Sequence, residues 1–375
     1  MTLCFFSTQY LPTPGGVERY TWNLARRAVA AGHRALVVTC SLPGLPDHEV
    51  DGDGIEIFRL PSWPVMGGRF PVLKPGAPAA AIWAAKPDFC IIQTKMYPQS
   101  VWAARQCKRR GIPTLVLDHS TGYMLNGGLV GLVGQCYEHF ACWLIRRCGF
   151  PFYGVSQDVV RWLRTFGVQA AGVLPNAADP AALRREAASE PYDWRAALGV
   201  GAGQKLLLFI GRLIPEKGAV ALADAVAELP DCVLAVAGTG PDAPALEHRP
   251  RVHPLGALPH AQVAALLTQA DVYCMPTTYA EGFPTTLLEA AVLRCPIVTT
   301  RTAGTGELLP GPDYAIFLED THPATIRTAL RTALDAPEAA RARADAAGAV
   351  AENHFTWDVV FDTIITIAKN ARTAL

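Results

Sequence analysis

The chain has 375 residues, half of them hydrophobic and 18% charged, which excludes a disordered chain and exceeds what one ordinary α/β core needs. Formal net charge is zero, yet residues 1–175 carry 17 Lys+Arg against 10 Asp+Glu, while residues 176–375 carry 16 against 23. The basic first half reads either as a surface facing something anionic, such as phospholipid or a pyrophosphate-bearing molecule, or as a set of solvated helix faces. No Lys/Arg stripe is interleaved with aromatics, so no nucleic-acid partner is expected.

Residues 1–6 read as a first strand and not as a signal peptide, because no basic segment and no cleavage site accompany them. Short apolar runs then alternate with helical patterns, the signature of βα units and a parallel sheet. In the first half the predicted strands are 3–8, 35–40, 55–59, 89–93, 114–117, 152–155 and 172–174, with helices over 17–31, 99–110 and 137–147 among them. After Asn176 the text loosens into an Ala/Pro-rich linker that ends near residues 201–203. The pattern restarts with strands at 205–211, 233–238, 252–255, 272–275 and 296–299, which points to a second, similar domain. Two Ala-rich helices (323–336 and 337–352) precede Phe355-Thr356-Trp357, and Thr356 is placed to cap a last amphipathic helix over 358–369. The ten cysteines form no CxxC pair and no metal-like spacing, and read as small buried hydrophobes of a reducing compartment. No uncharged apolar run reaches the roughly 18 residues needed to span a bilayer. The expectation is a cytoplasmic protein, at most peripheral at the inner face of a membrane.

Five local features point toward holding a sugar diphosphate. Gly15 and Gly16 follow the first strand and open the first helix, where backbone amides and the helix dipole favour an anion, although such glycines also serve turns alone. Gly211 and Arg212 end the first strand of the second half, with Lys217 five residues on. That puts two cations at the carboxyl edge of a sheet, where ligands of open α/β folds bind. Glu281 and Glu289 lie eight positions apart, the first in the turn before a helix and the second inside it among Leu287, Leu288, Ala290 and Val292. A helix-dipole role explains Glu281 but not Glu289, whose carboxylate needs a partner that ribose hydroxyls would supply; the amides of Thr285, Thr286 and Leu287 would face an anion. His119 follows the strand at 114–117 and reads either as a structural histidine or as a ligand for a sugar hydroxyl. Gly238-Thr239-Gly240 is a tight turn at the same edge. The chain has no GxGxxG fingerprint in a strand-to-helix context.

Taken in order, these residues resemble the retaining glycosyltransferase family 4, along essentially the whole chain. Gly15-Gly16-Val17-Glu18 matches that family's N-terminal glycine loop, His119 its active-site histidine, and Ser156 and Pro175-Asn176 the segment closing the first domain. Arg212 and Lys217 match its diphosphate pair, Glu281 through Glu289 its pair of glutamates, and Phe355-Thr356-Trp357 the start of its final helix. The resemblance implies an α/β fold of the GT-B class: two Rossmann-like domains facing across a cleft, with the C-terminal helix crossing back to the first. The domains would be residues 1–177 with 356–375, binding acceptor, and 200–352, binding the nucleotide sugar. It implies a transferase that moves a sugar from a UDP- or GDP-sugar to a saccharide or lipid-linked acceptor with retention, without metal or cofactor. Arg212 and Lys217 would neutralise the leaving diphosphate, Glu289 hold the ribose, and Glu281 the sugar hydroxyls. Gly16 would admit the phosphate and His119 would contact the sugar.

Ala177 stands where the family usually has Gly, Leu293-Arg294-Cys295 replaces a small-Cys-Gly turn, and the loop at 303–307 is shifted, so Glu307 receives no role. The apolar segment 123–134 reads either as a wall that admits a lipid-linked acceptor beside an anionic membrane, aided by Arg105, Lys108, Arg109, Arg110, Arg146 and Arg147, or as a buried loop and helix. The rival readings are a sugar-nucleotide 2-epimerase of the same fold and a non-catalytic nucleotide-sugar binding protein, with a nicotinamide oxidoreductase third.

Overall fold

A computed structural model describes residues 1–13, 15–76, 79–125, 127–279, 282–302 and 304–373. The chain divides into two compact units, one of residues 1–176 and 357–375, the other of 177–356. In the first unit the elements run β1 (Thr2–Phe6), α1 (Gly16–Ala30), β2 (Arg34–Cys40), β3 (His48–Val50), β4 (Glu56–Leu60), β5 (Ser62–Val65) and β6 (Phe70–Leu73). They continue with α2 (Ala80–Ala84), β7 (Phe89–Gln93), α3 (Pro98–Arg110), β8 (Thr114–Asp118), α4 (Gly128–Arg146), β9 (Phe152–Gly154), α5 (Gln157–Thr165) and β10 (Gly172–Val173). Eight strands join in the order β10-β9-β8-β7-β1-β2-β4-β3, all parallel except β3, which runs antiparallel to β4. Every residue of β7 and β8 is buried, as expected of strands covered on both faces. β5 and β6 form a separate antiparallel hairpin, whose short, Pro-containing strands lack the alternation that would mark them in sequence.

The second unit opens with α6 (Pro180–Ser189) and α7 (Trp194–Ala197), and then alternates strand and helix as far as α13. It runs β11 (Lys205–Ile210), α8 (Ala219–Ala227), β12 (Cys232–Ala237), α9 (Ala243–Leu246), β13 (Val252–Gly256), α10 (His260–Gln269) and β14 (Val272–Met275). There follow α11 (Thr285–Val292), β15 (Ile297–Thr300), α12 (Thr305–Leu308), β16 (Ile316–Leu318), α13 (Pro323–Asp335) and α14 (Pro337–His354). Its six-stranded parallel sheet has the order β13-β12-β11-β14-β15-β16. Leu207, Phe209, Leu222, Val226, Leu234, Val236 and Leu330 anchor its core.

The linker expected after Asn176 is mostly helical. Asp179 caps α6 by accepting from the Ala182 amide at 2.9 Å, with Pro180 at the first helical position, and Asp193 caps α7 in the same way. Those caps were legible; the Ala/Pro composition masked them. The last helix, α15 (Trp357–Thr373), belongs to the first unit. Tyr20 of α1 meets Trp357 edge to face with centroids 5.2 Å apart, and Arg27 pairs with Asp358 at 2.8 Å.

Candidate functional site

In the second unit the carboxyl ends of β11, β12 and β14 gather the predicted diphosphate residues. Gly238 and Gly240 pass so close to the carbonyls of Gly211 and Leu213 that neither could carry a side chain. The turn at Pro215–Lys217 is tied to the segment after β14, where the Thr278 amide and the Thr277 hydroxyl both donate to the Glu216 carbonyl. Gly218, at φ +76, closes that turn directly against the Pro276 carbonyl. The result is convergence. The Arg212 guanidinium lies 4.7 Å from the Tyr279 ring centroid, and the Lys217 ammonium lies 5.3 Å from the same ring. Arg212 is exposed while Lys217 is buried, so one cation is fixed and the other is free to close on an anion. An aromatic face between them attracts both charges and relieves part of their repulsion.

α11 begins at Thr285 after Pro284, whose side chain offers no cap, so the amides of Thr285, Thr286 and Leu287 stand at the positive end of the helix. The Thr286 hydroxyl is held inward by the Tyr273 hydroxyl at 2.9 Å, and Leu287 is fully buried. Glu289, about one turn on, does not stand alone. Its Oε1 lies 3.2 Å from His260 Nε2, and His260 Nδ1 lies 2.6 Å from Glu186 Oε2. Glu281 falls outside the described residues.

In the first unit His119 stands just past β8. Its Nε2 lies 2.7 Å from Gln93 Oε1, and its ring meets Tyr20 edge to face at 5.0 Å. Tyr20 is itself fixed by donating to the Leu174 carbonyl at 3.1 Å. Burial lowers the His119 pKa to about 4 against the opposing charge of Asp118, so the ring is neutral near pH 7. With the proton on Nε2, Nδ1 is left as an acceptor. Beside it Lys95, with no exposed surface, donates to Asp118 Oδ2 at 2.7 Å and to the Ser120 hydroxyl at 3.0 Å. At the start of α1, Gly16 has open space where a Cβ would stand, so its backbone is accessible. At half-buried Gly15 the Glu18 carboxylate fills the place a Cβ would take, and burial raises the Glu18 pKa, its own amide offsetting part of that. Among the described residues no three His, Cys, Asp or Glu side chains gather as a metal site would require.

The family described as Glycosyltransferase Family 4 matches residues 14–182, and Glycosyl transferases group 1 matches residues 192–349. The chain is 33% identical to glycogen synthase of Mycobacterium tuberculosis over 399 aligned positions, covering 96% of this chain and 92% of that one. It belongs to glycosyltransferase family 4. A second relative of this glycosyltransferase, a putative teichuronic acid biosynthesis glycosyltransferase of Bacillus subtilis, is 36% identical over 115 residues, 30% of this chain and 29% of its own length. The fold is GT-B: Anabaena HepE, solved in complex with UDP, superposes with a TM-score of 0.77 at 19% identity, covering 99% of this chain and all of HepE.

Sequence reasoning placed the cations and the glutamate but missed their neighbours. Tyr279 sits two residues before Glu281, and an aromatic that close to Glu281 was the available signal. His260 and Glu186 left none, because their meeting depends on how α6 and α10 pack.

Proposed function

We propose that this glycosyltransferase moves a sugar, with retention and without a metal, from a UDP- or GDP-sugar to a lipid-linked acceptor. The observation that carries the donor half is the convergence of Arg212 and Lys217 on Tyr279. As the bond from the anomeric carbon to the diphosphate oxygen breaks, negative charge grows on the leaving group, and Lys217, fixed in its turn, together with Arg212 stabilises it most at that moment. The acceptor hydroxyl attacks from the same face, forming the new glycosidic bond, and its proton passes to the departing diphosphate oxygen. Neutral His119 offers Nδ1 as an acceptor for a sugar hydroxyl. The first turn of α11 and Glu289 receive the nucleotide.

The acceptor half rests on α4. Leu129, Leu132, Val133, Cys136, Phe140 and Trp143 recur at helical spacing and are all exposed, so the outward face of this helix is its apolar one. A soluble helix turns that face inward; one lying in a lipid interface turns it out. Exposed Arg146 and Arg147 end the helix, and exposed Arg105, Lys108, Arg109 and Arg110 end α3 beside it, where Lys108 donates to the Arg147 carbonyl. At the other end of α4 a cavity of about 450 Å³ opens between Met66 and Phe70 on the hairpin side and Leu125, Val130 and Val133. One carboxylate lines it. Glu138 Oε1 accepts from the Met124 amide at 2.8 Å, while buried Oε2 has no partner among the described residues, a place for an acceptor hydroxyl beside an apolar chain.

The deciding experiment is a thermal-shift titration with UDP, GDP, ADP and dTDP and their sugars, on the wild type and on Arg212→Ala. One diphosphate should raise the melting temperature of the wild type by mass action and leave the variant unmoved. Stabilisation by none of them, or equal stabilisation of both proteins, removes the diphosphate site proposed here.

A further inference from the structure

His260 is the first residue of α10 and lies between two carboxylates, Glu186 on α6 at 2.6 Å and Glu289 on α11 at 3.2 Å. A neutral imidazole carries one N–H and would turn a bare lone pair toward one of the two acids. Only the imidazolium donates to both. Hydrogen bonding to Glu289 is the largest cause that lifts the His260 pKa to about 9; burial opposes it, and Glu186 adds to it. The other charges on the elements packed against α10 are engaged or turned away. Arg184 of α6 pairs with Glu352, Arg195 of α7 and Lys205 of β11 both pair with Asp271, and Arg185 is exposed. α11 carries no charge but Glu289.

We propose that His260 is a positioning residue for the sugar-nucleotide donor. Its Nε2–H holds Oε1 of Glu289 and fixes the rotamer and charge of that carboxylate, which leaves Oε2 to accept from the ribose hydroxyls. Glu186, holding Nδ1, keeps the imidazole protonated and square to Glu289. The chain thereby couples α6, the first helix of the second unit, to the nucleotide site within the same unit. This inference rests on reading Glu289 as the ribose ligand.

The test uses UDP and 2′-deoxy-UDP, with GDP and 2′-deoxy-GDP in parallel, bound to the wild type, His260→Ala, His260→Gln and Glu289→Gln. A hydrogen bond to a charged acceptor is worth about tenfold in affinity. The wild type should therefore prefer the ribonucleotide about tenfold, and His260→Ala should lose most of that preference while binding the deoxynucleotide as before. Retained deoxynucleotide binding also shows that the variant is folded. The wild-type preference should fade as pH rises through about 9, where the imidazolium is lost, while His260→Gln holds a smaller, pH-independent preference. In turnover, the donor KM should rise with kcat little changed. An unchanged ribose preference in His260→Ala, with Glu289→Gln abolishing it, overturns the positioning role alone. A wild type with no ribose preference, or one that survives Glu289→Gln, overturns the assignment of Glu289 and this inference with it. Loss of all diphosphate binding in Arg212→Ala would still stand in either case.

Discussion

Gly218 takes φ +76 one residue after Lys217, and the Pro276 carbonyl occupies the space a Cβ would need. Alanine there meets two penalties at once, a left-handed backbone and a collision with main chain that cannot swing aside. Gly218→Ala should lower stability by about 2 kcal/mol or more in a denaturant titration and weaken diphosphate binding in the same protein, since the turn that aims Lys217 must move. A variant with wild-type stability and wild-type UDP affinity would show that the turn is not under constraint. His119 of the first unit and His260 of the second differ for a reason visible in their partners. His119 has an amide oxygen and an aromatic edge, so burial wins and the ring stays neutral. His260 has two carboxylates, so pairing wins. A folded-state pKa raised to about 9 means that His260 contributes stability fully below about pH 6.5, lost as pH rises through 9. Sequence distinguished neither, because a histidine's charge is set by residues far away in the chain.

At the scale of elements, β7 and β8 meet their loops over a buried ion pair. Lys95 and Asp118 have 0% and 1% of their side-chain surface exposed, and the ammonium also lies 4.5 Å from the Phe166 ring. Two charges so deep are tolerated because each satisfies the other, which makes the pair fragile to loss of one member. Lys95→Met should cost about 3–5 kcal/mol in urea unfolding, whereas Lys95→Met with Asp118→Leu should recover much of it. A single variant as stable as the double would mean that the unpaired Asp118 is not the source of the cost. Periodicity made most of the parallel strands legible, because fully buried strands read as uninterrupted apolar runs. It placed the start of the helix at residue 137 nine positions late, since four glycines in 127–134 hid a helix that begins at Gly128. It found neither β3 nor the β5–β6 hairpin, whose short pieces carry no pattern long enough to read.

For the molecule as a whole, the basic excess of residues 1–175 and the apolar face of α4 lie in the same unit. On the proposed reading Coulombic attraction and apolar insertion would both come from this unit; no described helix is long and apolar enough to cross a membrane. The protein should float with vesicles rich in phosphatidylglycerol at low salt and should release when salt is raised, with Leu132→Glu or Val133→Glu reducing flotation severalfold. Flotation that ignores both lipid charge and those substitutions would refute the docking face. The motif residues revealed the family because their order along the chain is a property of sequence, while the face of α4 became visible only once the helix was folded and its outward residues could be named. One atom on that face has a further use. All ten cysteines are free, and Cys136 is the one that is exposed; eight are buried, and Cys148, half-buried, has its thiol pKa raised by burial. The native sequence therefore offers a single reactive handle at the centre of the α4 stripe. A polarity-sensitive maleimide dye attached there would report, by the colour of its emission, the moment this surface leaves water.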